Sequence, residues 1–146
     1  MATRTSKPIE ILLVEDSPGD VRLIQEAMKD ARVRNIMAVA GDGVEAMDYL
    51  RRRGAFVRVS RPDLILLDLN LPRKNGFEVL KEIKNDPLLK SVPVIVLTTS
   101  QSEQDIVKSY ELYANAYISK PVDLDQFLAA VKVIEDFWLE IVRLPV

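Results

Sequence analysis

The chain has 146 residues, a formal net charge of -2, and neither cysteine nor histidine. That length suffices for one domain with a full core. The near-neutral charge gives no case for direct nucleic-acid binding, and the missing residue types exclude disulfides, thiolate chemistry, a histidine base, His or Cys metal ligands and a phosphohistidine on this chain.

In chain order, residues 1–8 read as a disordered lead without the apolar segment of a signal peptide. Residues 9–146 read as a single domain. Glu10 to Val14 form a first apolar strand, followed by Glu15 and Asp16. Ser17-Pro18 starts a helix, a capping hydroxyl before a proline at the first helical position, with Val21, Ile24, Met28 and Ala31 at helical spacing. Ile36 to Ala40 form a second strand; Gly41-Asp42-Gly43 is a turn, and Val44, Met47 and Leu50 mark a second helix. Arg51 to Arg61 is a longer connection with five arginines. It reads as a solvated basic loop, with a docking patch for an acidic partner as the competing reading.

Leu64 to Leu67 form a third strand, apolar throughout and therefore expected to be covered on both faces, and it ends in Asp68. Pro72 and Asn75-Gly76 are turn signals, and a third helix from Gly76 stops near Asp86-Pro87. Val92 to Leu97 form a fourth strand ending in Thr98; Ser102 and Asp105 have capping spacing for a fourth helix. Ala116 to Ile118 form a fifth strand ending in Ser119-Lys120-Pro121, and Asp123 caps a last helix. Five alternations of strand and helix predict an α/β fold, a (βα)5 flavodoxin-like doubly wound parallel sheet with strand order 2-1-3-4-5. No apolar run approaches the ~20 residues of a membrane span, so a cytoplasmic protein without membrane contact is expected.

The residues after each strand carry the chemistry. In a parallel sheet Glu15, Asp16, Asp68, Thr98 and Lys120 lie on one edge, the edge where open α/β sheets place their sites. Three converging carboxylates are unfavourable unless a cation neutralises them. An oxygen-only donor set selects a hard cation, most plausibly Mg²⁺. Asp68 is a candidate nucleophile toward phosphorus; Lys120 would neutralise phosphoryl oxygens and Thr98 would donate a hydrogen bond. Taken singly, each residue has an ordinary explanation as a cap, a turn or a solvent-facing charge. Their coincidence at successive strand ends favours a site.

The motifs Leu-Val-Glu-Asp at 13–16, Leu-Leu-Asp-Leu-Asn-Leu-Pro at 66–72, Val-Leu-Thr at 96–98 and Tyr-Ile-Ser-Lys-Pro at 117–121 resemble the receiver domain of two-component response regulators, over about Ile9 to Phe137. The resemblance implies that Asp68 is the phosphoacceptor and that a sensor histidine kinase is the donor. It implies Mg²⁺ on Glu15, Asp16, Asp68 and the Asn70 backbone carbonyl. It also implies that Thr98 and Lys120 bind the phosphoryl group and that Tyr117 is the aromatic switch. The Glu-Asp-Ser-Pro-Gly-Asp start, the arginine-containing segment before strand three and the Phe-Trp-Leu-Glu-Ile-Val-Arg-Leu-Pro end are similar to stand-alone regulators of phytochrome-type histidine kinases. Tyr113 stands where most receivers of that family have Gly, after helix four. About 20 residues remain from Leu124, too few for an output domain that binds DNA.

Phe127, Val131, Ile134, Trp138 and Ile141 repeat with heptad spacing. They are the expected homodimer interface, with the first half of the stripe also accounted for by packing on the sheet. Two other functions compete: an inactive receiver serving as a binding module, and a haloacid-dehalogenase-type phosphatase. The phosphatase needs an acid two residues after the nucleophile, where Asn70 stands. Neither a Gly-x-Gly-x-x-Gly run nor a P-loop follows any strand.

Overall fold

Apolar runs of four to six residues alternate with helices that bury one stripe, and their assembly is a parallel sheet covered on both faces. The computed structural model describes residues 8–30, 34–98, 116–119 and positions 125, 127, 129 and 132. Within them run β1 (Ile9–Val14), α1 (Pro18–Lys29), β2 (Asn35–Ala40), α2 (Gly43–Leu50), β3 (Leu64–Asp68), α3 (Gly76–Asn85), β4 (Val94–Thr98) and β5 (Ala116–Ser119). The strand order is β2-β1-β3-β4-β5, every pairing parallel. This is the flavodoxin-like arrangement expected from the strand–helix alternation. None of the described helices is long and apolar enough to cross a membrane.

Side chains alternate across the strands, so each central strand feeds two cores. Leu12, Val14, Ile65, Leu67, Val94 and Val96 meet Ala46, Met47 and Leu50 of α2 and Val79, Leu80 and Ile83 of α3. Ile11, Leu13, Leu64, Leu66, Ile95 and Leu97 meet Ile24, Ala27 and Met28 of α1, together with Ile118 and Phe127. Phe127 is 1% exposed. Its ring packs in this second core, as the first half of the stripe allowed. The other four members of that stripe, the fourth helix and Tyr113 lie outside the described residues.

Local chemistry explains the element ends. The Ser17 hydroxyl accepts from the Asp20 amide and Pro18 opens α1. Asp42, expected only as part of a turn, caps α2 by accepting from the Glu45 amide at 2.8 Å. Asn75 and Glu78 form a reciprocal capping box on α3. β4 starts at Val94, not Val92, because Pro93 has no amide to donate to the ladder; its carbonyl instead accepts from the Ile65 amide. Asn35 joins β2 opposite Ile9.

The arginine-containing connection is more structured than a solvated loop. Arg51 pairs with Glu82 at 3.1 Å and Asp86 at 3.6 Å, tying the end of α2 to α3. Phe56, in a short 3-10 turn over Gly54–Phe56, stacks obliquely on Tyr49 at 5.3 Å between ring centroids. The Arg53 amide donates to the Asp48 carbonyl and the Arg52 amide to the Tyr49 carbonyl. These are the two bonds of a Schellman cap, which places Arg52 in the left-handed region at φ 57°. Glycine suits that position, and a side chain there costs about 1–2 kcal/mol.

Candidate functional site

The carboxyl edge of the sheet gathers the acids. Asp68 is the last residue of β3, and Glu15 and Asp16 directly follow β1, its neighbour in the sheet. One carboxylate oxygen from each of the three lies within 4.8 Å of the others. Glu15 and Asp68 are each 1% exposed and are the buried charged residues among those described; Asp16 faces solvent.

Backbone groups hold two of these side chains. The Ser17 amide donates to the Glu15 carboxylate at 3.2 Å, and the Glu15 amide donates to the Ala40 carbonyl at 3.0 Å. The Asn70 amide donates to Asp68 Oδ1 at 3.0 Å, so the chain turns tightly after the strand and brings Asn70 back to the carboxylate it follows. Burying two carboxylates beside a third is costly without a positive charge. The donors are all oxygen, which fits a hard divalent cation of the Mg²⁺ type and excludes a thiolate or imidazole metal centre.

The loop after Asp68 is clamped from two sides, a feature the sequence reading missed. A Cβ placed on Gly76 would lie 2.9 Å from the Asp68 carbonyl carbon and 2.5 Å from Leu69 Cα, so α3 starts against the backbone of the site. The Gly76 amide donates to the Leu69 carbonyl at 3.0 Å. A Cβ on Gly43, the first residue of α2, would lie 2.7 Å from the Lys74 carbonyl carbon and nearer still to its oxygen. Arg73, left-handed at φ 67°, pairs with the α2 cap Asp42 at 3.1 Å, and Lys74 pairs with Glu82 of α3. The Gly41-Asp42-Gly43 run signalled a turn in the sequence. Its contact with residues thirty positions later left no local mark.

Thr98 is the final residue of β4, in register with Ser119 of β5, and Tyr117 is in register with Val96. Both strands therefore end on the same edge as the acids; Lys120 follows Ser119 and lies outside the described residues.

The comparisons with known proteins agree with one another. Residues 11–132 match the family model for the response regulator receiver domain. The chain is 48% identical over 145 residues to response regulator Rcp1 of Synechocystis sp., an alignment covering 99% of each. Its fold resembles that of the phosphorylated cyanobacterial phytochrome response regulator RcpA, with a TM-score of 0.80 and 53% identity over 96% of this chain and 100% of that one. It also resembles the Mn²⁺-bound form of response regulator Rcp1, with a TM-score of 0.79 and 50% identity over 95% of this chain and 100% of that one.

Proposed function

The chain belongs to the response regulator receiver family, and on that premise we propose that it accepts a phosphoryl group on Asp68 from a phytochrome-type histidine kinase. The observation that carries this reading is the buried Asp68 carboxylate at the carboxyl end of a central strand, within 4.8 Å of the Glu15 and Asp16 carboxylates. Similarity to proteins described as phytochrome response regulators supports the choice of kinase class.

In this reading Glu15, Asp16, Asp68 and the Asn70 carbonyl would hold Mg²⁺, which would neutralise charge on the phosphoryl oxygens. The Asp68 carboxylate attacks phosphorus. An O–P bond forms, the P–N bond of the kinase's phosphohistidine breaks, and its electron pair returns to the imidazole. Lys120 supplies positive charge to the transferred group and Thr98 donates a hydrogen bond to it; Tyr117 turns inward as the surface changes. The Asn70 amide, donating to Asp68 Oδ1 at 3.0 Å, holds the carboxylate in place at the end of β3. Signalling follows from the altered surface, and the protein turns over no substrate beyond its own phosphoryl group.

The test is transfer from the autophosphorylated catalytic core of such a kinase. Label should leave the kinase and appear on this chain when Mg²⁺ is present and stay on the kinase when it is chelated. Retention of label with Mg²⁺ present would contradict the assigned donor.

A further inference from the structure

We propose that Asp42 and Glu82 are positioning residues for the Asp68 site: through ion pairs with Arg73 and Lys74, they hold the loop in which the Asn70 amide engages Asp68. The loop runs from Leu69 to Asn75, between β3 and α3. Its first half is fixed by burial, since Leu69 and Leu71 pack into the core under α2 and α3. Residues 72–75 are exposed or half-buried and lack that anchor. Two adjacent basic side chains take its place. Arg73 reaches Asp42 Oδ2 at 3.1 Å, and Lys74 reaches Glu82 Oε2. Each carboxylate uses both of its oxygens. Asp42 Oδ1 accepts from the Glu45 amide at 2.8 Å and so starts α2, while Oδ2 holds the loop. Glu82 Oε1 accepts from Arg51, the residue that ends α2, while Oε2 holds the loop. The loop is therefore tied to both ends of α2, directly through Asp42 and by way of α3 through Glu82.

Arg73 has φ 67°, a conformation that a non-glycine residue seldom adopts in a free loop. Such a backbone state persists where surrounding contacts over-determine it. The Asp42 pair and the approach of Gly43 to the Lys74 carbonyl supply those contacts. The pairs themselves add little to global stability. Arg73 is 62% exposed and Lys74 28%, and ion pairs open to solvent contribute weakly to folding. Their effect falls instead on the population of one loop conformation, and with it on the bond from the Asn70 amide to Asp68. The same loop carries the Asn70 carbonyl. Loss of the pairs would therefore lower Mg²⁺ affinity, a consequence that rests on the Mg²⁺ assignment proposed for the three acids.

The experiment measures hydrogen exchange of the Asn70 amide in the ¹⁵N-labelled full chain, in Mg²⁺-free buffer at low ionic strength. Asp42→Asn keeps a capping oxygen for Glu45, and Glu82→Gln keeps an acceptor for Arg51; each removes the charge. Either change should speed Asn70 exchange roughly threefold, the scale of one partly exposed ion pair, and the double variant roughly tenfold. Asp48→Asn, which loses its pair with Arg53, should leave the exchange unchanged. Urea midpoints of the single variants should stay close to that of the parent, which separates local loosening from global unfolding. Mg²⁺ affinity, followed on the Glu15 and Asp16 amide resonances, should fall by the same factors. Exchange at the parent rate in the double variant, or equal acceleration in Asp48→Asn, would overturn the proposal. Faster exchange with Mg²⁺ affinity intact would overturn the role of the two acids at the site. A parent that binds no Mg²⁺ would overturn the metal assignment instead, and the exchange result, obtained without the ion, would decide the proposal by itself.

Discussion

Asp68→Asn is expected to make the protein more stable without Mg²⁺ and to remove most of the stability that Mg²⁺ confers. Three carboxylates lie within 4.8 Å of one another, two of them buried. Like charges this close repel one another. Replacing one carboxylate by an isosteric amide removes two like-charge interactions and keeps an oxygen to accept the Asn70 amide. At the effective dielectric of a partly solvated site, the gain is on the order of 1–3 kcal/mol. In the parent, Mg²⁺ at a hundred times its dissociation constant contributes about 2.7 kcal/mol by mass action, or roughly 5–10 °C in Tm for a domain of this size. The variant should show little of that rise. Thermal unfolding of both proteins with and without Mg²⁺ measures the two effects together. An Asp68→Asn protein that is less stable than the parent in chelator, or that gains as much from Mg²⁺, would mean that the three acids do not act as one metal-binding cluster.

Gly43→Ala should destabilise the fold by about 2–3 kcal/mol, because the new methyl group meets backbone that cannot turn aside. The obstacle is the Lys74 carbonyl, in the loop that leaves Asp68 for α3. Urea unfolding would show the loss as a lower midpoint at unchanged slope. Gly19→Ala is the control, since nothing lies within 4 Å of its Cβ and it sits in the first turn of α1. That change should be neutral or slightly stabilising. Equal stability of Gly43→Ala and Gly19→Ala would show that the α2 start does not press on the loop. A Gly43→Ala loss accompanied by weaker Mg²⁺ binding, with Glu15, Asp16 and Asp68 all unchanged, would show that the clamp also positions the site.

What could be read from the sequence follows from the range over which each interaction acts. The strand runs Leu64 to Leu67 and Ile11 to Val14 announced themselves by continuous apolarity, and turn residues bounded them, so the sheet and its carboxyl-edge acids were legible. The Ser17-Pro18 start was equally plain, because a cap is made within three residues. Asp42 was taken for a turn residue because a helix cap and a turn use the same side-chain chemistry. Val92 and Pro93 looked like strand on hydrophobicity, while the ladder is decided by which residues can donate an amide. Arg51 seemed to be solvent because its partners, Glu82 and Asp86, come from a helix thirty residues on. Gly43 and Gly76 were visible only as flexible residues, and their importance lies in what sits opposite them in three dimensions. Phe127 fell in a stripe whose spacing cannot tell a sheet from a partner helix; burial assigns it to the core.

The central claim is that Asp68 takes up a phosphoryl group in a Mg²⁺-dependent reaction. Its most direct test is the intact mass of the protein after incubation with a small phosphodonor, with and without Mg²⁺, beside Asp68→Asn. A gain of one phosphate is expected in the parent with Mg²⁺, none in chelator and none in the variant. An unchanged parent mass would contradict it and favour a receiver fold used only for binding, and an equal gain in Asp68→Asn would place the phosphoacceptor elsewhere.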